Sequence, residues 1–163
     1  MSHTDTPTVV GNTRYADLTA SFHGKCPFCT LHRQRVLVKN AAWAWIICRR
    51  PYRAFHTLLV PLRHLHRMED LTTKEWELFL SLKQRATLDL RLGGFSVQGK
   101  PIENTIMMIR ERGIAKDIAS DHLHVHLLPE FEGMLNPICE ADAAKGTWHK
   151  EIQRLIDPSV STT

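Results

Sequence analysis

The sequence predicts an α+β domain, an antiparallel β-sheet carrying one long helix and a shorter C-terminal helix. Three features of the 163-residue chain lead to it: apolar and β-branched runs separated by Asn40 and Pro51, a capped amphipathic stretch beginning at Thr72, and a strictly alternating run over 122–128. The length suits a single domain that buries a core without disulfide or metal staples.

Taken in order, residues 36–39, 43–49 and 55–60 read as three strands of an antiparallel meander. Thr72 and Glu75 form a capping box, in which the hydroxyl and the carboxylate satisfy backbone N–H groups left open by the first helical turn. Trp76, Phe79, Leu80, Lys83, Ala86 and Leu90 then fall along one side of a helix that Gly93 and Gly94 end. Residues 95–97 and 105–110 give further strands, with Gly113 in the loop before the histidine-bearing one. After Pro129 the composition is mixed until Trp148, Ile152, Leu155 and Ile156 share a face of a short helix, expected to pack on the core or on a partner subunit. The expected organisation is a tail over 1–21, a domain over 22–135 and a C-terminal extension over 136–163.

Charge and composition narrow the functional classes. The longest apolar run, over 41–48, is far too short to cross a bilayer, and the polar start of the chain lacks the order of a secretory signal. A cytoplasmic protein is expected, in which Cys26, Cys29, Cys48 and Cys139 serve as thiols, metal ligands or a redox pair rather than disulfides. The net charge of +4 comes from scattered residues such as Arg35, Arg49, Arg53 and Arg63, which argues for a solvated face over a nucleic-acid groove.

His122, His124 and His126 alternate with Leu123, Val125 and Leu127. In an extended strand, side chains two apart share a face and lie about 6.6 Å apart, so three imidazoles are expected on one patch while the apolar partners bury the other side. Imidazole is neutral and nucleophilic near pH 7 and is also the commonest metal ligand. The pattern therefore points to chemistry on phosphorus, with a metal-binding tract as its rival. His56, before Pro61, supplies a fourth imidazole facing the triad across the sheet, or else a core histidine.

Cys26-Pro27-Phe28-Cys29 has the spacing at which one turn offers two thiolates to a tetrahedral zinc. His64 and His122 are candidates to complete the set, and a redox pair or two plain buried thiols are the competing readings.

From about Phe22 to Pro129, with this cysteine pair, the His56 to His64 segment, the capped helix, Gly113 and the triad, the chain resembles the histidine triad (HIT) family of nucleotide hydrolases and transferases. The resemblance implies a HIT-like fold that pairs as a homodimer into a continuous sheet. It implies that His124 attacks the α-phosphorus of a nucleotide to form a covalent nucleotidyl intermediate, with His126 and His56 donating hydrogen bonds to the nonbridging oxygens. It further implies a structural zinc on Cys26, Cys29, His64 and His122, with His66 as the substitute for His64.

Two positions depart from the family pattern. Where the family carries a polar phosphate-contacting run, this chain has Asp117, Ile118, Ala119, Ser120 and Asp121. Ser120 or Asp121 is left to handle the leaving-group proton, and the acidic loop favours a nucleoside monophosphate joined to an amine or other neutral group over a long polyphosphate. Cys48 stands where the family places Asp or Asn on the ribose, and a thiol is a weak donor and acceptor. Phe28, Trp43 and Trp45 are candidates to stack on the base, against the commoner job of core packing. The resulting expectation is a HIT-type hydrolase cleaving a phosphoramidate or phosphoanhydride bond. A nucleotidyl transferase on the same chemistry and a non-catalytic zinc and nucleotide-binding module are the other readings.

Overall fold

The computed structural model describes residues 9–10, 13–14, 26–31, 35–49, 51–112, 121–134 and 148–155. A short hairpin of β1 (Val9–Val10) and β2 (Thr13–Arg14) stands apart from a five-stranded antiparallel sheet. Strands β3 (Val36–Lys39), β4 (Trp43–Ile47) and β5 (Thr57–Pro61) form the expected meander. Asn40 closes its first turn, since its side-chain oxygen accepts the N–H groups of Ala42 at 2.9 Å and Trp43 at 2.8 Å. Helix α1 (Thr73–Leu92) follows, then a hairpin of β6 (Ser96–Val97) and β7 (Lys100–Pro101), then β8 (Asn104–Arg110) and β9 (His124–Glu130). The sheet order is β3-β4-β5-β9-β8, so the histidine-bearing strand lies between β5 and β8 with a ladder on each side. A second helix, α2 (Trp148–Gln153), ends the described chain.

Because side chains alternate along a strand, the sheet has two distinct faces. On one, Trp43, Trp45, Ile47, Leu59, Val125 and Leu127 join Phe79, Leu82, Ala86 and Leu90 of α1 and Trp148 and Ile152 of α2 in the main core. On the other, Ala44, Ile46, Cys48, Leu58 and Val60 form a smaller cluster under Phe28. The His124 and His126 side chains belong to this second face, because His126 sits opposite Leu58, which sits opposite Ile46.

Helix α1 begins at the capping box read from Thr72 and Glu75, present in both directions. Its buried stripe is Phe79, Leu82, Ala86 and Leu90, rotated from the expected line; Trp76 and Leu80 are 38% and 57% exposed. Three-, four- and four-residue spacings keep the buried stripe over the sheet, whereas Trp76 flanks it and shares a groove with Met68, Glu69, Ile109 and Glu111 beside the open edge of β8. Strand β9 begins two residues later than the alternation suggests. His122 precedes the ladder, and Leu123 N–H instead donates to the Leu65 carbonyl at 2.7 Å. Among the described residues no helix is long and apolar enough to cross a membrane.

Gly93 caps α1 with ordinary helical angles, yet it needs the absence of a side chain. A Cβ there would overlap Cε2 of Phe95 and lie 2.8 Å from the Asp89 carbonyl oxygen. Phe95 folds back over the helix end because that space is empty. Gly93→Ala is therefore expected to destabilise the protein by about 1–3 kcal/mol, read as a lower urea midpoint; an unchanged midpoint would show that Phe95 is free to move aside.

Candidate active site and metal centre

His124 and His126 project side by side from β9, with ring centroids 5.0 Å apart. His124 Nδ1 lies 2.8 Å from the backbone carbonyl of His122, and a carbonyl only accepts. Nδ1 therefore carries the proton, and Nε2 of neutral His124 keeps its lone pair. The ring is nearly buried, with Phe28 packed at 4.9 Å on one side.

A chain of hydrogen bonds fixes the second imidazole as firmly. The Tyr52 N–H donates to His56 Nδ1 at 3.0 Å, and His56 Nε2 lies 2.8 Å from His126 Nδ1. Burial first, then the charge of Arg53 and the cost of sharing positive charge with the His124 ring, lower His56 to about 3. Burial, followed by His56, His124 and Arg110, lowers His126 to about 2. Both rings are neutral at physiological pH. With His56 Nδ1 accepting, its proton sits on Nε2 and is donated to His126 Nδ1, so the His126 proton sits on Nε2. The pair delivers a single N–H beside the His124 lone pair. Tyr52 stacks on both rings, at 5.1 Å and 5.9 Å.

His56 follows a tight turn in which Phe55 adopts φ 60°, a region disfavoured for a bulky residue by roughly 1–2 kcal/mol. Phe55 is nonetheless buried, which offsets that cost.

The third histidine of the triad does something else. The His122 ring lies on the same face, with Phe28 packed against both it and the His124 ring, and turns Nδ1 toward the cysteine pair: Nδ1 lies 3.3 Å from Cys26 Sγ and 3.6 Å from Cys29 Sγ. His64 Nδ1 lies 3.0 Å from Cys29 Sγ. One donor atom from each of Cys26, Cys29, His64 and His122 falls within 4.8 Å of every other. A tetrahedron with zinc-like bond lengths has edges of about 3.5 Å, so the donor set fits such an ion. The proton positions fit as well. His122 Nε2 donates to the Pro61 carbonyl at 3.0 Å and His64 Nε2 faces the Asp121 carboxylate at 3.6 Å, which leaves both Nδ1 lone pairs toward the sulfurs. Burial and the adjoining Cys26 push the Cys29 thiol up to about 11, so metal uptake must expel a proton there.

The remaining expected site residues divide. Phe28 lies against the His122 and His124 rings, and Cys48 is buried on the same face, its N–H bonded to the His56 carbonyl. Trp45 and Trp43, candidates for the base pocket, face the opposite side: they pair with Leu59 and Pro61 in register and pack into the main core under α1. Odd-numbered positions of β4 all point to the helix. Asp121 is held by Arg112 at 3.2 Å and by His64 and His66, away from the His124–His126 pair. The substitute ligand His66 donates Nδ1–H to the Asp121 carbonyl at 2.7 Å and stands outside the four-residue set. Ser120, Asp117, Ile118, Ala119, Gly113 and Cys139 lie outside the described residues. His56 is near the site as expected, but its two ring nitrogens already serve Tyr52 and His126, so it does not donate to a phosphate.

Two residues escaped sequence reasoning. Tyr52 acts through its backbone N–H, which no side-chain pattern reveals. Arg110 is the register partner of His124 across β8 and β9, hence an exposed guanidinium on the same face. Only the sheet order brings it there.

A locked imidazole pair on a central strand, next to a Cys₂His₂ donor set, defines an α+β domain organised around a histidine-bearing strand. The chain belongs to the HIT family: residues 32–133 match the model of the HIT domain. Solved structures share the fold at low identity. A zinc-bound histidine triad family protein from Mycobacterium smegmatis has 17% identity and a TM-score of 0.55 over 88% of this chain and 91% of that one. A hypothetical histidine triad nucleotide-binding protein from Sulfolobus tokodaii has 15% identity and a TM-score of 0.60 over 83% and 91%. The diadenosine triphosphate hydrolase of Plasmodium falciparum has 17% identity and a TM-score of 0.52 over 80% and 82%. No curated protein matches the chain by sequence.

The buried neutral pair has a consequence for stability. His56 and His126 bind no proton when folded at pH values where the unfolded chain, with histidines near 6.5, does. Their contribution is complete above about pH 6.5 and is lost as pH falls toward their folded values, at up to about 1.4 kcal/mol per pH unit for each ring. Urea unfolding is expected to show stability dropping steeply from pH 6 to pH 4; a flat profile there would contradict the neutral pair.

Proposed function

We propose that this chain is a HIT-type hydrolase that cleaves a phosphoramidate or phosphoanhydride bond at the α-phosphate of a nucleoside monophosphate conjugate, by way of a nucleotidyl group on His124. The observation that carries it is the His124 Nδ1 contact to the His122 carbonyl, which leaves Nε2 as a lone pair beside the His126 N–H. Nε2 attacks phosphorus, the bond to the leaving nitrogen or oxygen breaks with its electron pair, and the departing group takes up a proton from water. The charge arising on the His124 ring is met by its Nδ1–H bond to the carbonyl. His126 Nε2–H donates to a nonbridging oxygen, where such a donor is worth about 10²-fold in rate. Water then attacks the same phosphorus, the P–N bond breaks, and neutral His124 and a nucleoside monophosphate remain. Arg110, exposed across from His124, meets the phosphate charge that two neutral imidazoles cannot.

The family membership, the nucleotide-binding and hydrolase descriptions of fold neighbours, and this geometry support the reading together. With an adenosine phosphoramidate, AMP is expected to be released, and acid-free quenching is expected to trap an added nucleotidyl mass on His124. His124→Ala should lower turnover by about 10³-fold or more and abolish the adduct, and His126→Gln should lower it by about 10²-fold. Equal AMP release by the wild type and His124→Ala would remove His124 as nucleophile. Transfer of the nucleotidyl group to added orthophosphate in preference to water would mark a transferase, and nucleotide binding without turnover a binding module.

We assign Cys26, Cys29, His64 and His122 to a structural zinc, on the donor set and proton positions above and on the zinc-bound fold neighbour. Such an ion supplies a rigid clamp of four ligands and takes no part in the reaction. The chain's own contribution is to hold both histidines with Nδ1 inward. Elemental analysis is expected to give about one zinc per chain, with Cys29→Ser losing it and melting roughly 5 °C or more lower. Purified wild type that carries no zinc and gains no thermal stability when zinc is added would rule the assignment out.

A further inference from the structure

We infer that the C-terminal helix α2 is a positioning device for the imidazole pair: Trp148, through Phe55, holds His56 in the one orientation that fixes the proton of His126. The activity arm of this inference rests on the hydrolase reading above, whereas its spectroscopic arm does not.

Phe55 is the physical link. Its φ of 60° belongs to the region where glycine is the default, so the backbone has a standing tendency to leave that conformation. Two aromatic rings oppose the change. Phe95 lies 4.9 Å from the Phe55 ring and Trp148 lies 5.7 Å from it, and all three side chains are buried. The next residue is His56, whose every hydrogen bond depends on the shape of this turn. Its N–H lies 3.3 Å from the Arg53 carbonyl, its carbonyl accepts the Cys48 N–H at 3.2 Å, and its Nδ1 accepts the Tyr52 N–H at 3.0 Å. A relaxed Phe55 would withdraw Nδ1 from Tyr52. His56 would then be free to take either tautomer, and His126 with it.

Trp148 sits on the removable side of this clamp. Phe95 is anchored at the end of α1, whereas α2 is a six-residue helix outside the matched HIT domain. A helix that short has no stability of its own and exists only while Trp148 and Ile152 are docked. Its undocking is a local event of the kind that precedes global unfolding. His149 stacks at 3.7 Å on the same indole from within α2. Trp148 and Phe55 touch no reacting group; they act through His56.

Long-range nitrogen–proton spectra of ¹⁵N-histidine protein test this without substrate. In the wild type His126 is expected as a single tautomer with the proton on Nε2. Trp148→Ala should give a mixture at His56 and His126 while leaving His124, anchored by the His122 carbonyl on its own strand, unchanged. Trp148→Phe should restore the single form. With the phosphoramidate, kcat of Trp148→Ala should fall about 10-fold with KM within about two-fold, the signature of misplaced chemistry rather than lost binding. Phe55→Gly accepts φ 60° without strain and removes the ring, so Trp148→Ala in that background should add no further change at His126. Leu82→Ala, a core lesion in the middle of α1, should leave the His126 tautomer intact. The inference is overturned if Trp148→Ala keeps a single His126 tautomer, or if Leu82→Ala disturbs it equally. Should Trp148→Ala fail to fold, Trp148→Leu, which keeps an apolar side chain there but no ring, takes its place, and a single His126 tautomer in that variant overturns the inference. A His126 signal that responds to Trp148 in a protein that cleaves no conjugate would defeat the hydrolase reading and leave the clamp standing.

Discussion

A backbone N–H can only donate, and that constraint on Tyr52 orders the centre of this molecule. Once its proton points at His56 Nδ1, a neutral His56 must hold its own proton on Nε2, and His126 must hold its proton on the far nitrogen. Burial supplies the other half of the condition by keeping both rings uncharged. Two ambiguous side chains thereby become one directed N–H. The same logic, with the donor and acceptor roles exchanged, acts on His124, where a carbonyl that can only accept leaves the opposite ring nitrogen unprotonated.

His122 joins the two halves of the site. Its ring lies among the thiols and its backbone oxygen holds the His124 ring. Whatever fixes the ring also fixes the carbonyl, because residue 122 precedes the strand and has no ladder partner of its own to hold it. The Pro61 carbonyl, at the end of β5, accepts from the other side of the same ring, so the thiols and the central ladder restrain one residue jointly. A thiol 96 residues back along the chain, at Cys26, thus bears on the tautomer of His124 through a single peptide unit.

Much of this was legible in the sequence. The meander, the capped helix, the alternating histidine strand and the Cys-x-x-Cys pair all depend on local rules of period, turn and cap, and residues such as Asn40, Thr72 and Glu75 act as those rules require. What escaped depends on pairing between distant segments. The Trp45 side is decided by its register with Leu59, and an aromatic on a half-buried strand reads alike on either face. The hold of the His122 carbonyl on the His124 ring is a backbone contact, which no side-chain pattern reveals. Arg110 meets His124 only because β9 lies between β5 and β8, and Tyr52 contributes an atom that every residue but proline possesses.

In the proposed reaction the neutrality of His56 and His126 decides where charge must come from. Phosphoryl transfer develops little covalent character that a protein can assist, and depends on balancing negative charge around phosphorus. Protonating His126 would supply a cation, but its burial makes that state costly, and a proton on its Nδ1 would compete with the one arriving from His56. A fixed charge placed just outside the buried pair avoids both conflicts. In the proposed reaction Arg110, exposed on the edge strand and opposite His124, occupies that place. Directional hydrogen bonding within the sheet and electrostatic attraction at its rim are thereby assigned to different residues, because one environment cannot favour both.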